Sequence, residues 1–125
     1  MNLVDSSGWL EVLLGGPNKE YFNPVLMDRG ALLVPALVAF EVTKIARVLR
    51  GKTFGEAIWN FVRSGIFIEV SASITATAIE VSITHKLATA DSLIYATALE
   101  YDATLWTQDK HFKGLPHVKY FEKSA

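Results

Sequence analysis

Short, unbroken apolar runs alternate with helix-length segments along most of this chain. The runs end or begin at sharp polar boundaries: NLV before Asp5, LLVP (32–35), IFIEVS (66–71), ATLWT (103–107) and VKYFE (118–122). Between them, segments 6–14, 18–28, 36–49, 54–63, 72–86 and 90–101 have helical length and spacing. Gly15, Gly16 and Pro17 stop the first of these segments, and Gly51 separates the third from the fourth. Segment 72–86 is rich in Ile, Val and Thr, which favour strands locally, yet its length predicts a helix. Strands that are apolar throughout, rather than alternating, must be buried on both faces. The pattern therefore predicts a mainly parallel sheet between two helical layers, a three-layer α/β/α sandwich.

The helix over 36–49 carries a polar residue in an unexpected place. At about 100° per residue, Val38, Val42, Ile45, Ala46 and Leu49 form one stripe, and Lys44 and Arg47 lie opposite. Glu41 borders the apolar stripe rather than sitting with the lysine and arginine. A carboxylate beside a core is costly unless something positive or hydrogen-bonding meets it.

Three further acids share its setting. Asp5 follows the first strand, Asp91 opens an Ala-, Leu- and Ile-rich helix, and Asp109 follows the strand ending at Thr107. Each has a plain structural explanation. Asp5 and Asp91 suit helix starts through capping and the helix dipole; Glu41 can pair with a lysine and Asp109 can form a turn. In a parallel sheet, however, strand C-termini and the helix N-termini that follow them meet at one edge, where ligands bind. Four carboxylates gathered there repel one another, and hard divalent cations such as Mg²⁺ or Mn²⁺ relieve that repulsion. The chemistry such a cluster supports is metal-assisted hydrolysis of phosphodiesters.

Composition narrows the alternatives. The chain of 125 residues reads as one domain spanning 1–125, half of its residues are hydrophobic, and mean hydropathy is +0.26. Its longest apolar run, ALLVPALVAF, is ten residues interrupted by Pro35, well short of the roughly 20 residues that span a bilayer. The N-terminal residues lack the pattern of a secretory signal, so a cytoplasmic protein without membrane contact is expected. Its apolar excess predicts contact with other chains. With no cysteine there is neither disulfide nor cysteine-ligated zinc. A net charge of −1 excludes a bulk nucleic-acid coat. Lys110, His111, Lys113, His117, Lys119 and Lys123 nevertheless crowd the last sixteen residues, and Lys110 and Lys113 beside Asp109 are candidates for phosphate contacts. Trp9 and Trp106 fall inside elements and read as core.

The stretches NLVDSSGWLE, LLVP followed by EV at 41–42, HKLATADSLIYATA and ATLWTQDKHFKGLPHVKYF resemble the PIN-domain ribonucleases, specifically the VapC-type toxins of bacterial and archaeal toxin–antitoxin pairs. The likeness runs in register from Asn2 to Phe121. It rests on the ordered set Asp5, Glu41, Asp91 and Asp109 rather than on any one motif. It implies a PIN-like fold, an endoribonuclease dependent on one or two Mg²⁺ or Mn²⁺ ions, and those four acids as catalytic and metal-binding residues. It also implies Ser6 and Thr107 as polar supports, an RNA substrate, a cognate antitoxin and a homodimer. Many such proteins carry another acid two residues after the last aspartate; here that residue is His111, a candidate contact to phosphate. Two other readings of the same acids are a phosphohydrolase and a non-catalytic interaction module. Phosphatases with an aspartyl nucleophile use a second aspartate two residues on, where this chain has Ser7.

Overall fold

The computed structural model describes residues 1–123. Five parallel strands, β1 (Asn2–Val4), β2 (Leu32–Pro35), β3 (Ile66–Ile68), β4 (Thr104–Thr107) and β5 (Val118–Tyr120), form one sheet in the order β3-β2-β1-β4-β5. Central β1 pairs Leu3 with Leu33 on one side and with Leu105 on the other. All three leucines are buried, as are all four residues of β2, which is why these strands read as apolar throughout. The chain steps outward from β1 to β2 to β3, then returns to place β4 on the other side of β1. With the right-handed crossovers that parallel strands favour, this strand order sets α1 (Ser6–Leu13), α2 (Lys19–Met27) and α3 (Ala36–Val62) on one face, where α1 packs against both α2 and α3. The opposite face is covered by α4 (Ala72–His85) and α5 (Thr89–Glu100). The result is the three-layer α/β/α arrangement that the apolar pattern predicts.

The core supports both faces. Trp9 and Phe22 are fully buried under the first helical layer, and Tyr95 and Phe112 under the second. Trp9 meets Phe61 edge to face, with centroids 5.8 Å apart. Trp106 is only half-buried; its indole N–H donates to the Asn2 side chain at 2.8 Å. Among the described residues no helix is long and apolar enough to cross a membrane.

Several boundaries differ from the sequence pattern, and three of the differences have a clear local reason. The helices expected at 36–49 and 54–63 run together as α3, broken at Gly51, whose φ of 89° and ψ of 175° are outside helical space. Only glycine takes such a backbone without strain. Strand β3 ends at Ile68 instead of residue 71, because its partner β2 ends at Pro35 and there turns into α3. Ser71 instead caps α4, its hydroxyl accepting from the Ile74 N–H. That cap helps the Ile-, Val- and Thr-rich segment to be helical, as do hydroxyls of Ser73 and Thr77 that donate to Glu100 of α5 at 2.8 and 2.7 Å. Finally, α2 starts at Lys19, since the Asn18 side chain is directed inward to Gln108 and to the Glu122 carbonyl.

Candidate active site

The direction of the sheet order reverses between β1 and β4, and the acids stand around their C-terminal ends. Asp5 immediately follows β1 and is the N-cap of α1, with Oδ1 accepting from the Gly8 N–H at 3.2 Å. Gly8 is needed there. A Cβ on it would stand 2.5 Å from Val4 Cγ1 and 2.8 Å from Phe22 Cδ1, so a side chain would push α1 off the strand.

Capping alone does not account for Asp5. Its carboxylate is buried, only 4% exposed, and two hydroxyls join the Gly8 N–H in donating to it. The Ser7 hydroxyl donates to Oδ1 at 2.7 Å and the Thr107 hydroxyl to Oδ2 at 2.8 Å. Burial raises its pKa from 3.8 to about 6; the three donors oppose that rise, and the Asp109 charge adds to it. Thr107, at the end of β4 and fully buried, also accepts from the Asp109 N–H at 2.9 Å. One hydroxyl therefore ties the acid after β1 to the backbone of the acid after β4.

Asp109 begins a 3₁₀ turn over Lys110–Phe112 and accepts the His111 N–H at 2.9 Å. The His111 ring lies over the same carboxylate, with Nδ1 2.8 Å from Oδ1. Phe112, fully buried, anchors the turn. Asp91 lies in the first turn of α5 but is not its cap, a position held by Ala88. Its pKa is raised, chiefly by burial, then by the charges of Asp109 and Glu41, with His111 acting in the opposite sense. Glu41 projects from α3, partly buried, and accepts the Ser6 hydroxyl at 2.8 Å.

Among the described residues, donor atoms of Asp91, Asp109 and His111 lie within 4.8 Å of one another, a separation that one cation can bridge. Asp5 and Glu41 stand outside this trio. They are linked to it through Thr107 and through the charge that Asp91 feels. The donor set of carboxylates and one imidazole fits a divalent cation of the Mg²⁺ or Mn²⁺ kind, whose charge would offset the burial and, secondarily, the mutual repulsion that raise the pKa values of Asp5 and Asp91. An open cleft of about 480 Å³ lies beside Asp109, lined by Ser7, Gln108, Lys110, Tyr120, Glu122 and Lys123. Lys110 thus faces the cleft, whereas the Lys113 ammonium sits 5.5 Å from the Tyr120 ring centroid.

Ser7 and the network behind it are not evident from the sequence. The Gln108 amide donates to Glu11 at 3.1 Å and its carbonyl accepts from Asn18 at 3.0 Å. This network braces α1 and α2 against the segment after β4. The only local signal is a hydroxyl two residues past the Asp5 cap, where the first helical turn bends back over the cap.

Several solved structures share this fold. A toxin–antitoxin complex from Klebsiella pneumoniae aligns at 20% identity with a TM-score of 0.83, covering 98% of this chain and 99% of that one. VapBC2 from Rickettsia felis, bound to a DNA fragment from its promoter, aligns at 18% identity and TM-score 0.76, covering 97% and 98%. VapC20 from Mycobacterium tuberculosis, described as a toxin that cleaves the sarcin-ricin loop, aligns at 16% and 0.68, covering 92% of each chain. No curated protein matches the chain. The family signature of the PIN domain matches residues 3–118, nearly the whole length, and the chain accordingly belongs to the PIN domain family.

Proposed function

We propose that this protein is a metal-dependent endoribonuclease that acts in the cytoplasm as the toxin of a toxin–antitoxin pair. One observation carries the reading. Asp5, Glu41, Asp91 and Asp109 surround the β1/β4 switch point, and burial and mutual repulsion raise the pKa of two of them. A structural ion-pair network would surround such acids with lysine or arginine. Among the described residues no lysine or arginine lies within salt-bridge distance of any of the four, and the one basic side chain that does is the imidazole of His111.

Asp91, Asp109 and His111 would hold the cation, and Asp5 and Glu41 would add negative charge beside it. A bound Mg²⁺ or Mn²⁺ ion supplies Lewis-acid chemistry, lowering the pKa of water and offsetting phosphate charge. Ser7 and Thr107 fix the orientation of Asp5, and Ser6 fixes that of Glu41. Lys110, at the cleft, is the side chain best placed to take a phosphate of the RNA. The fold shared with toxin–antitoxin complexes supports the biological role. Exposed Phe40, Val48 and Leu49 on α3, with Ile79 and Ile83 on α4, support a homodimer and a bound antitoxin.

The purified chain is expected to cut single-stranded or looped RNA with Mg²⁺ or Mn²⁺ and to stop in EDTA. Undiminished cleavage in the chelator would overturn the metal assignment. Light scattering at micromolar concentration should give a dimer. Unchecked growth of cells expressing the active chain alone would remove the case for an antitoxin.

A further inference from the structure

We infer that His111 is a nitrogen ligand to the cation held by Asp91 and Asp109, and that it biases the site toward Mn²⁺ over Mg²⁺. The inference rests on the metal-dependent reading of the same site, and it concerns the residue by which this chain departs from an all-carboxylate set. A donor atom of His111 belongs to the trio within 4.8 Å. Its Nδ1 stands 2.8 Å from Asp109 Oδ1, close to the spacing of about 3 Å between neighbouring donors on an octahedral ion with bonds near 2.1 Å.

The ring is delivered by a rigid element. The His111 N–H is bonded to Asp109, and the next residue, Phe112, is fully buried. His111 itself is exposed, its side chain 67% accessible, so packing does not explain its position. The chemistry then sets the preference. Mg²⁺ demands oxygen donors and gains most from negative charge, whereas imidazole nitrogen suits the later divalent metals, and Mn²⁺ accepts both donor types. An imidazole in place of a carboxylate removes one negative charge and one hard oxygen, and both changes weaken Mg²⁺ more than Mn²⁺. A simple hydrogen bond from the ring N–H to Asp109 is the competing arrangement, and it leaves no nitrogen on the metal.

The experiment is spectroscopic. Mn²⁺ is titrated into metal-free protein by electron paramagnetic resonance, Mg²⁺ is measured by competition, and ¹⁴N electron spin echo modulation reads nitrogen bound to Mn²⁺. Wild type, His111→Ala and His111→Asp are compared. Wild type should show directly bound nitrogen and both variants should lose it. His111→Ala should weaken Mn²⁺ binding by at least about tenfold while melting like wild type without metal, since the backbone bond to Asp109 and Phe112 are untouched. His111→Asp should narrow the Mn²⁺-to-Mg²⁺ affinity ratio by about tenfold. Absence of bound nitrogen in wild type, its persistence in His111→Ala, or an unchanged affinity ratio in His111→Asp would each overturn the inference. RNA cleavage is scored separately. Nitrogen-ligated Mn²⁺ without cleavage refutes the ribonuclease reading alone, and cleavage without bound nitrogen refutes this inference alone.

Discussion

Replacing Asp5 with asparagine separates its two structural roles. Asparagine caps a helix about as well as aspartate, so the bond from the Gly8 N–H survives in Asp5→Asn. The buried charge does not. Burial carries the Asp5 pKa from 3.8 to about 6, so the folded protein binds a proton more tightly than the unfolded chain. Stability from this group is therefore fully present below pH 3.8 and is lost as pH rises through 6. At about 1.4 kcal/mol per pH unit, ionised Asp5 costs the metal-free fold about 3 kcal/mol at neutral pH. The substituted amide must still donate toward Thr107, whose hydroxyl now has to turn away, at a cost of about 1 kcal/mol. Metal-free Asp5→Asn should thus be more stable than wild type by about 2 kcal/mol at pH 7.5, a rise in Tm of roughly 5–10 °C. At pH 4 most of the wild-type penalty is gone, and the variant should be equal or slightly less stable. Asp91 titrates in both proteins and cancels in the comparison. Thermal melts in EDTA at the two pH values, repeated with Mn²⁺, measure this directly. Mn²⁺ should stabilise wild type far more than the variant, and RNA cleavage by the variant should be lost. The same Tm difference at pH 4 and pH 7.5 would refute the buried-charge argument. Full cleavage with wild-type metal stabilisation would reduce Asp5 to a cap.

Thr107→Val removes both the donor to Asp5 and the acceptor for the Asp109 N–H. Urea unfolding should show a loss of about 1–3 kcal/mol, cleavage should fall, and Thr107→Ser should retain most of both. Glu41→Gln keeps an acceptor for the Ser6 hydroxyl but lacks the charge. Its cleavage rate should drop about 10- to 100-fold with unchanged folding by circular dichroism, and a wild-type rate would remove Glu41 from the site. Lys110→Ala should weaken RNA binding and reduce the slope of log affinity against log salt by about 0.7, the share of one phosphate on a single strand. An unchanged slope would mean that Lys110 meets no phosphate.

How much of this was legible in the sequence follows from the range of each interaction. The strands beside β1 were visible as short apolar runs, but only LLVP is buried throughout; in TLWT buried Leu105 and Thr107 alternate with partly buried Thr104 and Trp106. The helix break at Gly51 was visible because glycine marks a backbone other residues avoid. Strand ends were not. The length of β3 is set by where β2 enters α3 at Pro35, 33 residues before Ile68, and residues 69–71 carry no sign of that. The acids were legible as a set because topology brings strand C-termini together wherever strands are parallel.

The hydroxyls that govern those acids depend instead on contacts between distant segments, so Ser6 and Thr107 were expected through the family resemblance and not from spacing, and Ser7 escaped. Ser6 and Ser7 are adjacent and chemically identical, yet they serve different carboxylates. The first turn of α1 points Ser6 toward Glu41 and Ser7 back to Asp5. No periodicity distinguishes them, because the choice depends on where α3 and β4 pass α1. Spacing is equally silent on what Thr107, expected as a support, bonds to. Its one hydroxyl proton can go to a single acceptor, and the Asp109 N–H already occupies the oxygen as a donor, so the proton is directed to Asp5. That constraint exists only once β1 and β4 are paired, Val4 against Trp106. Sheet pairing thus does more than assemble the acids. It assigns the hydroxyl protons, keeps Asp5 an acceptor despite a pKa near 6, and so holds ready the negative charge on which the proposed cation site depends.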